Sequence, residues 1–165
     1  MNPDILTIKA AMLYIIKQLG EIDRQKLCKI LYFSEQKSLV QCGTSIFFDN
    51  FLAKEFGPVP ETAYSMMEKE PFIQKGKYRI ITNEEPDMDN LSMDNVECID
   101  QTIKENSKHS FNKLIEKSQD LAWDEAVQRF PCVMDYIKIA EAGGATEAEI
   151  HELKEYFESK EFFII

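Results

Sequence analysis

The sequence is poor in the residues from which small metal and redox sites are built. It has two histidines, His109 and His151, and four cysteines, Cys28, Cys42, Cys98 and Cys132. No two cysteines form a CxxC pair, and a zinc site needs closely spaced Cys or His ligands, so no structural zinc is expected. The cysteines fall in apolar or helical patterns, where a free thiol behaves as a small hydrophobe. Nothing suggests export, so disulfides are not expected either. Catalytic motifs are missing too: there is no GxSxG elbow, no Walker loop and no Rossmann glycine pattern. Both histidines stand in polar stretches, KENSKHSF and AEIHELK, which read as helix surface or cap regions. With no nucleophile placed beside a base, neither an enzyme nor a cofactor is expected.

Long apolar runs and dense basic runs are also lacking. Lys9 and Lys17 interrupt the apolar N-terminal stretch, which excludes a membrane span there. That stretch has no basic leader region and no small-residue cleavage site, so a cytoplasmic location is expected. The net charge is −10, and Lys26 and Lys29 are the nearest approach to a basic cluster in the first half. A phosphate backbone needs a cationic surface, so no nucleic-acid partner is expected. Acidity instead steers basic protein partners towards the chain.

The chain is nonetheless well supplied for folding. Its 165 residues are 44% hydrophobic and 29% charged, enough for one globular domain over 1–165. Asn2 as cap and Pro3 at the first helical position predict a helix bearing Ile5, Ile8, Met12, Ile15, Ile16 and Leu19, stopped by Gly20. Asp23 caps a second helix running to about Gln41, with Leu27, Ile30, Leu31 and Ser34 facing inward and Gly43 ending it. The aromatic segment 46–59, ending in Gly57-Pro58, reads as extended chain and turn. Residues 77–82 read as a second strand. Between them a short helix starts at Pro60, and 83–90 is an acidic loop. Helices capped by Ser92 and Ser110 follow, then one around Trp123 stopped by Pro131, one from about Cys132 to Ala142, and a last one opened by a Thr146/Glu149 capping box. The expected fold is mainly α (α+β): a single helical domain, with a small antiparallel sheet, containing parts of 46–56 and 77–82, inserted after the second helix. The apolar end, 162–165, is expected to fold back as an edge strand or into the core.

Lys26-Leu27-Cys28-Lys29-Ile30-Leu31-Tyr32-Phe33, then Gly43, then Ala53-Lys54-Glu55-Phe56-Gly57-Pro58-Val59 and Tyr64, make the most specific pattern in the chain. Together with Leu91-Ser92, Ser110-Phe111, Ala122-Trp123 and Met134-Asp135-Tyr136, it resembles the Panacea domain family. One departure precedes Trp123. The family often has a histidine in a THxxxAW pattern, where this chain reads Lys117-Ser118-Gln119-Asp120-Leu121-Ala122-Trp123, so a role of that histidine does not carry over. The resemblance implies an antitoxin that neutralises a protein toxin by direct binding in a toxin-antitoxin system. The alternatives it implies are a SocA-like adaptor delivering a toxin to a ClpXP-type protease, or a phage-associated regulatory protein; homo-oligomers are compatible with each.

Phe47, Phe48, Phe51 and Phe56 are more aromatic residues than one face of a short strand can bury. The stretch 47–60, with Phe47, Phe48, Phe51, Glu55, Phe56, Gly57 and Pro58, is therefore the expected partner site. Its strand edge is expected to be open to a partner strand.

Overall fold

The computed structural model describes residues 2–70, 74–75 and 79–164, without the side chains at 74, 75 and 161–164. Helix α1 (Ile5–Leu19) begins two residues later than Asn2 would place it. Asp4 is the cap, its carboxylate accepting the Thr7 amide at 3.2 Å, and Pro3 lies before the helix. A carboxylate with a free amide one turn ahead outcompetes the earlier Asn2. Gly20 closes α1 at φ 76, a conformation glycine adopts without steric cost.

Asp23 ends the short strand β1 (Ile22–Asp23) and caps α2 (Arg24–Gln41) through the amides of Gln25 and Lys26. Every residue from 27 to 35 is buried, including Lys29 and Glu35, so α2 is wrapped on all sides. It packs most extensively on α4 (Met93–Asn106), and also on α5 (Phe111–Ser118) and α7 (Tyr136–Ala142). Strands β2 (Phe51–Lys54) and β3 (Gly57–Pro60) form an antiparallel hairpin, with Lys54 opposite Gly57. Helix α3 (Glu61–Lys69) leaves directly from Pro60.

The remaining strands, β4 (Gln74–Lys75) and β5 (Arg79–Ile81), join β1 in a separate antiparallel sheet of order β1-β5-β4. The segments 46–56 and 77–82 thus belong to two small sheets and not to one; residues 77 and 78 lie outside the described residues. Propensity marks strands but not their partners, and here β5 pairs with β1 and β4 and not with the hairpin. Helix α6 (Leu121–Val127) is short, and only Ala122 and Ala126 on it are buried. Helix α7 starts at Tyr136, capped by Asp135, because Cys132–Met134 is held as extended chain beside β2.

Helix α8 (Glu147–Ile164) opens with the Thr146/Glu149 box, in which each residue's backbone amide donates to the other's side chain. Its backbone stays helical through Ile164, so the tail makes no edge strand. The side chains of 161–164, and Ile165, lie outside the described residues. One hydrophobic cluster runs from Ile8 to Leu153. Among the described residues no helix is long and apolar enough to cross a membrane.

Candidate functional site

The β2–β3 hairpin projects a two-residue turn, Glu55-Phe56, whose backbone is held from behind. Neither turn residue has positive φ. Gly57 takes that role at φ 101, as in a bulged hairpin. Glycine is demanded there twice over. A Cβ would sit 2.4 Å from the Ser118 hydroxyl and 2.8 Å from Lys29 Cε. Three donors then reach carbonyls on or beside the turn. Trp123 Nε1 donates to Lys54 O at 2.9 Å, Gln119 Nε2 to Glu55 O at 2.9 Å, and Lys29 Nζ to Pro58 O at 3.2 Å.

Lys29 is fully buried, and among the described residues its Nζ donates to neutral oxygens, those of Pro58 and Gln25. Burial pushes its pKa below the ordinary lysine value. Asp120 ties the clamp to α2. It accepts from the Tyr32 hydroxyl at 2.6 Å and Gln36 Nε2 at 3.2 Å, while capping α6 at the Trp123 amide. The burial of Tyr32 and the neighbouring Asp120 carboxylate both raise the phenol pKa, so Tyr32 stays a donor at every ordinary pH.

A second buried network sets the approach to the hairpin. The Glu35 carboxylate accepts the amides of Ile46 at 2.7 Å and Phe47 at 3.0 Å, the Ser45 hydroxyl at 3.0 Å and the Tyr136 hydroxyl at 3.4 Å. Burial pushes its pKa up to about 7 against the opposing pull of these donors. Asp49 then starts α3 by accepting from the amides of Thr62 and Ala63, each at 2.9 Å.

These networks sort the residues singled out in the sequence. Phe47 and Phe51 are core residues, 2% and 0% exposed, so the surface of 47–60 is not theirs. Phe51 fits against Tyr32 and Tyr136 edge to face. Phe48 is half-buried at φ 52, its ring beside Tyr156 of α8. Gly57 and Pro58 are buried beside the turn, Val59 is buried on β3, and Tyr64 on α3 is half-buried. Glu55 and Phe56 remain outside. Phe56 is 48% exposed and pairs with Phe111, itself 41% exposed, at 6.5 Å between ring centres.

The open strand edge is corrected as well. On β2 the second edge is occupied, with Ala53 N donating to Cys132 O at 2.9 Å and Met134 N to Phe51 O at 2.8 Å. On β3 all four residues are buried, and Pro58 and Pro60 have no amide to offer. Of the family-pattern residues, Leu27, Ile30, Leu31, Tyr32 and Phe33 are buried. Half-buried Lys26 donates to Ser107 O at 3.2 Å, and Gly43, at φ 68, follows α2. The parts of the clamp that sequence reading missed are Lys29, Ser118, Gln119 and Asp120. Lys29 had one visible signal, a charge in the middle of an otherwise apolar inward run. Among the described residues no three His, Cys, Asp or Glu side chains are grouped to hold a metal ion.

A central helix buried all round over residues 27–35, a glycine-dependent turn and a tryptophan pinning that turn make a scaffold that presents a fixed surface feature. The profile of the antitoxin SocA-like, Panacea domain family matches residues 27–124, from α2 through the hairpin to the Trp123 turn of α6. The match spans more than half of the chain, and the chain belongs to this family. No curated protein and no solved structure matches it.

Proposed function

We propose that this chain is an antitoxin that acts by binding and not by catalysis. It neutralises a cognate protein toxin through a face centred on the hairpin tip, with Glu55, Phe56 and the adjoining Phe111. The observation that carries this reading is the contrast at the tip. Three buried or half-buried side chains immobilise its backbone, yet its two turn side chains are left in water. A pre-ordered aromatic loses little conformational entropy on binding, and aromatic residues concentrate binding energy at interface centres. Family membership supports a protein partner, and the net charge of −10 favours a basic one.

The test is co-expression with the neighbouring toxin. Phe56→Ala and Phe111→Ala are expected to keep the melting temperature within a few degrees, because both residues lie at the surface with nearly half their area exposed, and to lose protection of the cells. If both variants, and the double variant, protect as well as the parent, the face is elsewhere. Following the toxin itself separates two modes of action. Toxin that is inactive but intact supports direct neutralisation, whereas toxin that disappears only when a ClpXP-type protease is present supports delivery.

A further inference from the structure

Helices α2 and α4 run antiparallel in a regular register, marked along one seam by side-chain pairs. Lys37 Nζ meets Glu105 Oε1 at 3.0 Å, and Gln41 Nε2 meets Gln101 Oε1 at 3.2 Å. Just past the second pair, where α2 ends, two thiols meet, Cys42 and Cys98, with Sγ atoms 3.9 Å apart across 56 residues of chain. Their meeting is thus a product of helix packing. Cys42 is exposed and Cys98 is buried. We infer that Cys42 and Cys98 are a modification site, which hydrogen peroxide converts to an intramolecular disulfide.

The chemistry follows from the asymmetry of access. The exposed Cys42 thiolate attacks one peroxide oxygen. An S–O bond forms, the O–O bond breaks, and the departing hydroxide is protonated to water. The resulting sulfenic acid is then attacked by the Cys98 sulfur. The S–S bond forms, the S–O bond breaks, and the leaving hydroxide takes the Cys98 proton as a second water. Two thiols are oxidised by two electrons and the peroxide is reduced to two waters.

Cys98 is a poor first nucleophile, since burial and the neighbouring Cys42 hold its pKa up at about 12. Converting Cys42 to a sulfenic acid removes the influence of the Cys42 thiol, leaving burial and Glu97, which still raise the pKa, opposed by Lys37. Closing the gap to the roughly 2.05 Å of a disulfide requires about 1.9 Å of approach. The partner outside a helix is Cys42, which lies past the last helical residue at the cap of α2 and beside Gly43 at φ 68.

The experiment treats the reduced full chain with hydrogen peroxide, blocks the remaining thiols by alkylation and maps the peptides by mass. Two of the four thiols are expected to disappear together, with a peptide linked through Cys42 and Cys98 that dithiothreitol reverses. Cys28 and Cys132 should be recovered alkylated. In Cys98→Ser, Cys42 should instead be trapped as a sulfenic acid by dimedone. Cys42 recovered as sulfinic acid beside a reduced Cys98, a disulfide between any other pair, or four unchanged thiols would overturn the inference. The peptide map is made on the unmodified sequence, so it does not depend on any variant folding.

Discussion

Gly57→Ala is the most informative single change, because its cost divides into two parts that a control can separate. The backbone part comes from φ 101, and an L-residue in a positive-φ conformation costs roughly 1–2 kcal/mol. The packing part comes from a methyl group placed 2.4 Å from Ser118 Oγ and 2.8 Å from Lys29 Cε. Both neighbours are fully buried and hydrogen-bonded, so neither can swing aside freely. Overpacking of this kind costs typically about 1–3 kcal/mol. The sum is about 2–5 kcal/mol. For a chain of this length that corresponds to a fall in melting temperature of roughly 4–20 °C.

Gly43→Ala is the control. Its φ is 68 and a Cβ there meets nothing within 4 Å, so it carries the backbone part alone. Thermal unfolding followed by circular dichroism should rank the variants with Gly57→Ala well below Gly43→Ala. Adding Ser118→Ala to Gly57→Ala should recover part of the difference, since it removes the nearest clashing atom. Equal melting temperatures for the two glycine variants would refute the clamp as described.

Other consequences can be checked in the same way. Glu35 has its pKa raised to about 7, so between the unfolded carboxyl value and pH 7 the folded state holds a proton that the unfolded state has released. Stability is therefore fully present in acid and is lost as pH rises through that window, by about 3 kcal/mol on the scale of 1.36 per pKa unit. Glu35→Gln should flatten the pH profile of unfolding free energy between about pH 4.5 and 7 relative to the parent, and an unchanged slope would assign the titration to another group. Trp123→Phe removes the donor to Lys54 O and should cost roughly 0.5–1.5 kcal/mol in chemical denaturation, with a matching loss of hairpin-tip protection in hydrogen exchange. No change in either would mean that Trp123 does not pin the turn.

The sequence by itself determined whatever depends on contacts a few residues apart. Asp23, Ser92, Ser110 and Thr146 with Glu149 cap the helices that their spacing predicts, because a cap hydrogen bond spans only two or three residues. A turn beside Gly57 and the inward stripe of α2 were legible for the same reason, although the turn itself is Glu55-Phe56 and Gly57-Pro58 opens β3. The tertiary structure decided the partners. Ile22–Asp23 pairs with 79–81 and not with the aromatic strand, and 132–134 leaves the helical register to line β2. Phe47 and Phe51 go inside while Phe56 stays out. Lys29 and Glu35 are buried because neutral oxygens meet the first and four donors meet the second, all but Gln25 of these partners lying ten or more residues away in the chain. Cys42 finds Cys98 only through the packing of α2 on α4. Residue type and spacing specify what a local segment can satisfy alone, whereas the cost of an unsatisfied buried group is settled by whichever distant segment arrives to meet it.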